Sequence, residues 1–151
     1  MDQRIVLLGV GNTIAVAAGT EETGGAFALL DYELAPGFAA LPPHTHQRED
    51  AAIYVLEGRL LVRVSQTERL VEQGEFIFLP KEVAHALSNP GSQPARFLTV
   101  LIPAGFECCF RDLEAVLDQG ASFSAEAVGP LLACYGVQVE KAGAYFTGPV
   151  K

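Results

Sequence analysis

Residues 42–64 read PPHTHQREDAAIYVLEGRLLVRV, and this stretch decides the fold class. It contains two short apolar runs, Ala52–Leu56 and Arg59–Val64, rich in residue types that favour strands. Glu57-Gly58 separates the two runs, and glycine at such a position is typical of a tight turn. In the second run the arginines fall on one face and the valines on the other. We therefore predict a β-hairpin with one buried face and one solvated face.

The same pattern extends over most of the chain. Its 15 glycines and 9 prolines separate short apolar runs and leave no long linker or repeat. Further strands are predicted at Ile5–Val10, Ile14–Ala18, Phe27–Leu34, Phe76–Leu79 and Arg96–Ile102. Strands of this length at this spacing predict an all-β domain, built as a sandwich or a barrel.

The C-terminal third predicts helices instead of strands. From Phe106 to Leu117 the apolar residues recur every three or four positions, which is typical of an amphipathic helix, and Gly120 supplies a stop. A second helix is predicted from about Ser124 to Tyr135, and the Gly-Pro pair inside it is expected to kink or shorten it. The expected architecture is a β-domain with a small helical C-terminal appendage.

Length and composition limit the classes of function. The chain has 151 residues, of which 50% are hydrophobic, so it can bury a core as one domain over residues 1–151. We place the barrel at about residues 10–103 and the helical segment at about 104–140. The net charge of -8 repels phosphate backbones and anionic lipid headgroups, so no nucleic-acid or membrane partner is expected. Every apolar stretch is also shorter than the roughly 20 residues of a spanning helix.

The cysteines and the N-terminus indicate a cytoplasmic protein. Cys108 and Cys109 are adjacent and Cys134 is distant, so the 3 cysteines do not form a disulfide framework and fit a reducing compartment. Cys109 is predicted to lie in the core and Cys108 at its boundary. Asp2 and the absence of a cleavage pattern argue against a secretion signal.

The 3 histidines of the chain are candidate metal ligands. On an extended segment His44 and His46 point to the same side, about 6.6 Å apart along the strand. His85 follows a predicted strand and a proline, and it could approach from a neighbouring strand. Three imidazoles on one face would bind a single ion and leave its other coordination positions open. The alternative is that the His-x-His pair lies on a surface strand and His85 in an unrelated loop.

The residues around these histidines resemble the two motif segments of the cupin superfamily. The matching positions are Gly37, His44-Thr45-His46, Asp50 and Gly58 in the first segment, and Gly74, Pro80, His85 and Asn89 in the second. Over about residues 10–115 the chain is similar to single-domain cupins described as quercetin 2,3-dioxygenase-like. The resemblance implies a small antiparallel β-barrel of the jelly-roll type, with a metal ion held inside by His44, His46 and His85, and commonly a homodimer.

Two positions depart from the family pattern. Ala51 stands where the family has a glutamate that binds the metal and is thought to act as a base toward the substrate hydroxyl. A loop shift could bring Asp50 to the metal, but strand alternation directs it to the opposite face. We therefore interpret Glu49 and Asp50 as solvated loop carboxylates. At the second position, Glu82 replaces a glycine between the motif proline and histidine, which indicates a slightly different turn.

These features predict a metal-dependent oxygenase of the quercetinase-like type. The ion would be one divalent transition metal, and spacing does not select among Fe, Mn, Ni, Co, Cu and Zn. Three neutral imidazoles leave the ion its full charge, which favours a small enolisable or polyphenolic substrate that chelates as an anion. The alternatives are a non-catalytic small-molecule-binding cupin and a metal-dependent isomerase, cyclase or decarboxylase. No catalytic side chain is assigned, and Tyr54, Phe76 and Phe78 are interpreted as core or pocket lining.

Overall fold

The computed structural model describes residues 3–6, 11–39, 43–118 and 125–140. Within these residues the chain forms short strands and three short helices. In chain order they are β1 Gln3–Val6, β2 Thr13–Ala18, α1 Thr20–Thr23, β3 Ala28–Leu34, β4 His44–His46, β5 Asp50–Glu57, β6 Arg59–Val64, β7 Thr67–Glu72, β8 Phe76–Leu79, β9 His85–Ser88, β10 Ala95–Ile102, α2 Cys108–Asp118, α3 Ala125–Cys134 and β11 Val137–Val139.

The strands form two antiparallel sheets with one core between them. One sheet has the order β1-β2-β3-β10-β5-β8 and the other has the order β11-β4-β9-β6-β7. Inward-facing side chains from both sheets, such as Leu30, Ile53 and Val62, are fully or almost fully buried in the same cluster. Since side chains alternate along each strand, one face of each sheet fills this core. The predicted all-β class with a small helical segment is confirmed.

The hairpin predicted around Gly58 is wrong, because its two strands belong to different sheets. β5 pairs with β8 and β10, whereas β6 pairs with β7 and β9. At the crossing point Gly58 has φ 73°, and a Cβ there would lie 2.6 Å from the Pro94 carbonyl oxygen. Glycine is therefore required for the chain to pass from one sheet to the other. The hairpin partner of β6 is β7, whose sequence TERLVE is too polar to be found from apolar runs.

The helix α2 covers one end of the barrel with its apolar side. Phe106, Cys109, Phe110 and Leu113 are buried there, which confirms the core position predicted for Cys109. Cys108 is exposed. The predicted stop at Gly120 lies outside the described residues.

The helix α3 contains Pro130 within its span, so the Gly-Pro pair does not end it. The predicted start at Ser124 and the later part of the first predicted strand, residues 7–10, lie outside the described residues. The assignment of residues 1–151 to one domain stays a prediction. Among the helices that the structure describes, none has the length and apolarity to cross a bilayer.

The outer face of the six-stranded sheet carries large apolar side chains. Tyr54, Phe76 and Phe78 are 45%, 52% and 48% exposed, and in the register Tyr54 lies opposite Phe76. Their interpretation as core or pocket lining is wrong. Alternation along β5 and β8 gives the inward positions to Ile53 and Ile77 and turns these aromatic rings outward.

Candidate metal centre

Two neighbouring strands of the five-stranded sheet bring the three histidines together. β4 consists of His44, Thr45 and His46, and β9 begins at His85. His44 lies directly opposite His85 in the antiparallel pairing. The convergence expected from alternation and strand pairing is therefore present in the structure, and the alternative of an unrelated loop histidine is wrong.

The three imidazoles are close enough to share one ion. Their ring centroids are 5.4 Å apart for His44 and His46, 4.6 Å for His44 and His85, and 5.5 Å for His46 and His85. One nitrogen from each ring lies within 4.8 Å of the others. Nitrogens that bind one ion at about 2.1 Å can be no more than about 4.2 Å apart, so small side-chain rotations would complete the arrangement.

Burial keeps His85 in the form that binds metal. His46 and His85 are 7% and 6% exposed. Burial, together with the neighbouring His44 and His46, lowers the pKa of His85 to about 2, so its ring is neutral at physiological pH. A neutral imidazole has the free lone pair that a metal ligand needs.

The Nδ1 atom of His85 also fits a polar ligand site. It is buried and makes no hydrogen bond of good geometry within the described residues, so its contact with the Val83 backbone is a weak one. A buried polar nitrogen without a partner is costly in a folded protein and is common at sites that bind a ligand or an ion. The donor set and its surroundings therefore fit a divalent transition metal.

The two carboxylates that follow His46, those of Glu49 and Asp50, lie in different environments. Glu49 is 5% exposed, and its Oε2 lies 3.2 Å from Nδ1 of His46. The interpretation of Glu49 as a solvated loop residue is therefore wrong. Asp50 points away from the core, where its Oδ1 accepts a hydrogen bond of 2.8 Å from the Lys81 backbone N–H. Among the described residues, no carboxylate joins the three-histidine group, so Asp50 does not take the place of the missing glutamate.

Ala51 occupies an inward position of the six-stranded sheet. It is 6% exposed and lies between Leu79 of β8 and Leu101 of β10. All three side chains are buried and apolar, so this part of the inner face offers no proton acceptor.

An aromatic side chain contacts the cluster from the helical side. The Phe106 ring packs edge-on against the His46 ring, with centroids 4.6 Å apart. Phe106 also contacts Phe110 and Tyr135, which ties the ring to the helices. The sequence showed Phe106 only as the start of an apolar helix face and held no signal of this contact.

The turn before His85 adopts a glycine-like conformation without glycine. Glu82 has φ 66° in the left-handed region. Its backbone N–H donates a hydrogen bond of 2.7 Å to the His46 carbonyl oxygen. This hydrogen bond connects the segment before β9 to β4, and it helps to determine the distance between His85 and the two histidines of β4.

Asn89, the last motif position, has a structural role. It is 1% exposed, and its Nδ2 donates to the carbonyl oxygens of Leu34, Ala35 and Gln93 at 2.8–3.1 Å. Its Oδ1 accepts the Gly91 backbone N–H at 2.9 Å. These bonds join the end of β9 to the end of β3.

Comparison with known proteins agrees with this arrangement. The family model of the Cupin domain matches residues 30–101. The chain is 36% identical over 93 residues to germin-like protein subfamily 2 member 3 of Arabidopsis thaliana, with 58% of this chain and 41% of that protein covered. It is 37% identical over 71 residues to the tetracenomycin polyketide synthase protein TcmJ of Streptomyces glaucescens, with 47% of each covered. It thus spans less than half the length of these two curated relatives.

A solved structure shows the same fold. The polyketide cyclase RemF of Streptomyces resistomycificus superimposes with a TM-score of 0.57 at 27% identity, covering 67% of this chain and 73% of that one. Its likeness extends beyond the motif residues to the barrel as a whole. Residues 30–101, which match the Cupin domain model, carry the three histidines on an antiparallel barrel, so this part of the chain is similar to the cupin superfamily in sequence, fold and histidine placement.

Proposed function

We propose that this chain is a metal-dependent cupin enzyme of the quercetinase-like oxygenase type. Its substrate would be a small enolisable or polyphenolic molecule that chelates an ion held by His44, His46 and His85. The observation that carries the proposal is the close approach of the three histidines to one another, with the buried His85 ring held neutral. A divalent transition ion bound there would supply Lewis acidity and, for a redox-active metal, reactivity toward dioxygen.

The charge of the site favours an anionic substrate. Neutral imidazoles bring no negative charge, and no carboxylate of the described residues joins them. Ala51 provides no base, so the chain does not take up the substrate proton at that position. Acidic enols, such as 1,3-diketones and flavonols, lose this proton most easily and are therefore the best candidates.

A second candidate is ring closure of an enolisable substrate without oxygen. Similarity to TcmJ and RemF favours it, because their names connect them with polyketide synthesis and polyketide cyclisation. The chemistry overlaps with the first candidate, since poly-β-carbonyl chains are also enols that chelate a metal ion. A non-catalytic binding cupin is the remaining alternative, and Ala51 is the feature that favours it.

One experiment separates these functions. Protein freed of metal and reloaded with iron, manganese, nickel, cobalt, copper or zinc is incubated with flavonols and 1,3-diketones, in air and under nitrogen. Oxygen uptake is expected, with both atoms of each O₂ recovered in cleavage products: an ester and carbon monoxide from a flavonol, or a carboxylic acid and a dicarbonyl from a 1,3-diketone. A product formed equally under nitrogen would assign the second candidate. Substrate binding without turnover for every metal would contradict both enzymatic functions, and the His85→Ala variant serves as the metal-free control.

We also propose that the chain forms a homodimer through the outer face of the six-stranded sheet. The exposed rings of Tyr54, Phe76 and Phe78 support it, because monomers seldom leave several large apolar side chains together in water. Sedimentation velocity tests the proposal with the double variant F76K/F78K, which is expected to sediment as a monomer. Leu70→Lys, at an exposed apolar position on the other sheet, is the matched control. A monomeric wild-type chain would contradict the proposal.

A further inference from the structure

Glu49 contacts the cluster through only one of its histidines. Its Oε2 lies 3.2 Å from Nδ1 of His46, and both side chains are buried. A carboxylate oxygen accepts a hydrogen bond, so Nδ1 is the ring nitrogen that carries the proton in this pair. The lone pair of a neutral His46 then belongs to Nε2.

We propose that Glu49 is a positioning residue of the metal centre, which fixes His46 in the tautomer that presents Nε2 as the ligand. The inference rests on the proposed metal-dependent function. Carboxylates that hold a metal-binding histidine in this way set its ring orientation and raise its basicity. Glu49 would thus act on the ion only through the orientation and basicity of His46, in a chain whose barrel wall carries Ala51 instead of a ligand glutamate.

The geometry indicates that Glu49 is not itself a ligand of the three-histidine site. It is not a member of the group whose ligand atoms come within 4.8 Å of one another. It also precedes β5, and the inward position of that strand nearest to it belongs to Ala51. A direct ligand role would require the carboxylate to leave Nδ1 and cross the His46 ring.

The segment from His46 to Glu49 is fastened at several points. The Gln47 backbone N–H donates to the Gly136 carbonyl oxygen at 2.9 Å, and the His46 carbonyl oxygen accepts the Glu82 N–H at 2.7 Å. Phe106 packs on the His46 ring. The backbone that carries the pair and the His46 ring therefore have contacts of their own, which limits the movement of the ring relative to the carboxylate.

The hydrogen bonding of Glu49 indicates a functional role rather than a role in stabilising the fold. Among the described residues its side chain has one hydrogen-bond partner, the His46 ring. A buried carboxylate costs free energy unless several donors satisfy it. A carboxylate with a single imidazole partner therefore does little for folding, and its position is explained by its effect on that imidazole.

The tautomer of His46 can be measured without metal and without activity. Long-range ¹H–¹⁵N correlation spectra of the chain contain signals from only 3 histidines, so each ring is assignable. We expect His46 in the wild-type protein to be the Nδ1–H tautomer, and a mixture of both tautomers in Glu49→Ala. Asp50→Ala removes the adjacent carboxylate and should leave the spectrum of His46 unchanged. An unchanged His46 tautomer in Glu49→Ala would overturn the proposal.

Metal affinity provides the second measurement. Competition of Zn²⁺ or Co²⁺ against a chelator is expected to show a loss of about 10–100-fold for Glu49→Ala, and a smaller loss for Glu49→Gln, whose amide oxygen can still accept from Nδ1. Asp50→Ala should retain wild-type affinity, and His85→Ala should lose binding. Thermal unfolding of the metal-free variants identifies any that fail to fold, in which case Glu49→Gln replaces Glu49→Ala.

The outcomes distinguish the two proposals. Binding that is lost in His85→Ala but unchanged in Glu49→Ala overturns the role of Glu49 and leaves the metal-dependent function standing. A wild-type protein that binds neither ion overturns both. The expected result is that Glu49→Ala changes the tautomer of His46 and weakens metal binding, whereas Asp50→Ala does neither. This result supports both proposals.

Discussion

Glu49 and Glu107 are two buried carboxylates, and their hydrogen-bond partners differ in number and kind. Their exposures are 5% and 6%. Glu107 accepts hydrogen bonds from the backbone N–H and hydroxyl of Thr20, both at 2.7 Å, and from the Gly105 backbone N–H at 2.5 Å. Glu49 has the His46 ring as its one hydrogen-bond partner among the described residues. Burial alone therefore does not tell a structural carboxylate from a functional one, whereas the chemical nature of the donors does.

The pKa of Glu107 is determined by its burial and by its hydrogen-bond donors. Burial by itself raises the pKa of Glu107, but hydrogen bonds from Thr20 and Gly105 together outweigh it and leave the pKa below the ordinary 4.5. Its position beside the first turn of α2 also suits a negative charge, because the peptide dipoles of a helix make its N-terminus electropositive. Glu107 thus joins the segment at Thr20 to the start of the helix as an ionised group.

The largest effect on stability is expected for Glu107→Ala. The change leaves three donors without their acceptor, and a lost charged hydrogen bond costs about 1–3 kcal/mol, so we expect a total loss of roughly 2–4 kcal/mol. Urea unfolding of the metal-free protein measures it. Metal affinity should stay at the wild-type value. A loss below about 1 kcal/mol would contradict the structural role of Glu107.

The second prediction is that the stabilisation contributed by Glu107 decreases at low pH. Because the folded state lowers the pKa of Glu107, its stabilising contribution is present above the ordinary value of 4.5 and is lost as the pH falls through the folded-state pKa. The difference in Tm between wild type and Glu107→Gln should therefore be widest near neutral pH and should narrow as the pH falls from 5 toward 3. A constant difference over this range would show that the charge of Glu107 contributes nothing.

The third prediction applies the same substitution to the other carboxylate. Glu49→Gln keeps an acceptor for Nδ1 of His46 and removes a buried charge with one partner, so the free energy of unfolding should change by less than about 1 kcal/mol. The change should be smaller than that of Glu107→Gln under the same conditions. If the two amide variants lost equal stability in urea unfolding, the contrast between the carboxylates would fail.

The smallest effect on the free energy of unfolding is expected at a third glutamate, Glu82, whose backbone conformation determines the effect. The side chain of Glu82 is exposed and its φ is 66°, a conformation that costs a non-glycine residue about 1–2 kcal/mol. Glu82→Gly removes this cost but adds freedom to the unfolded chain, worth about 0.4–1 kcal/mol. Unfolding should therefore show a gain of up to about 1 kcal/mol. A clear loss would mean that the Glu82 side chain has a structural role.

The sequence predicted the features that depend on periodicity and on residue type. Alternation along residues 44–46 placed His44 and His46 on one face, and the position of His85 after a predicted strand and Pro80 suggested that it could join them. It also placed Asp50 outward correctly. These inferences needed only local geometry, and the structure confirms that the three rings meet.

The features that depend on tertiary partners were missed. Alternation predicted two strands around Gly58, but it does not show that β5 pairs with β8 and β10 while β6 pairs with β7 and β9. Glu49 is buried and contacts His46 three residues earlier, and the spacing His-x-x-Glu was the one available signal of this contact. The outward rings of Phe76 and Phe78 were misassigned because hydrophobicity alone does not state which face of a strand is covered.

The pairing of β4 with β9 has a consequence for the order of folding. His44 and His85 are neighbours in space but about forty residues apart in the chain, and β5 finds its partners only in β8 and β10. Contacts of such high sequence separation form late and slow the folding of β-rich domains. Nascent chains would therefore offer no assembled histidine cluster to an ion, and a metal would be captured after the barrel closes. It would then act as a ligand of the native state and raise the free energy of unfolding with the logarithm of its free concentration.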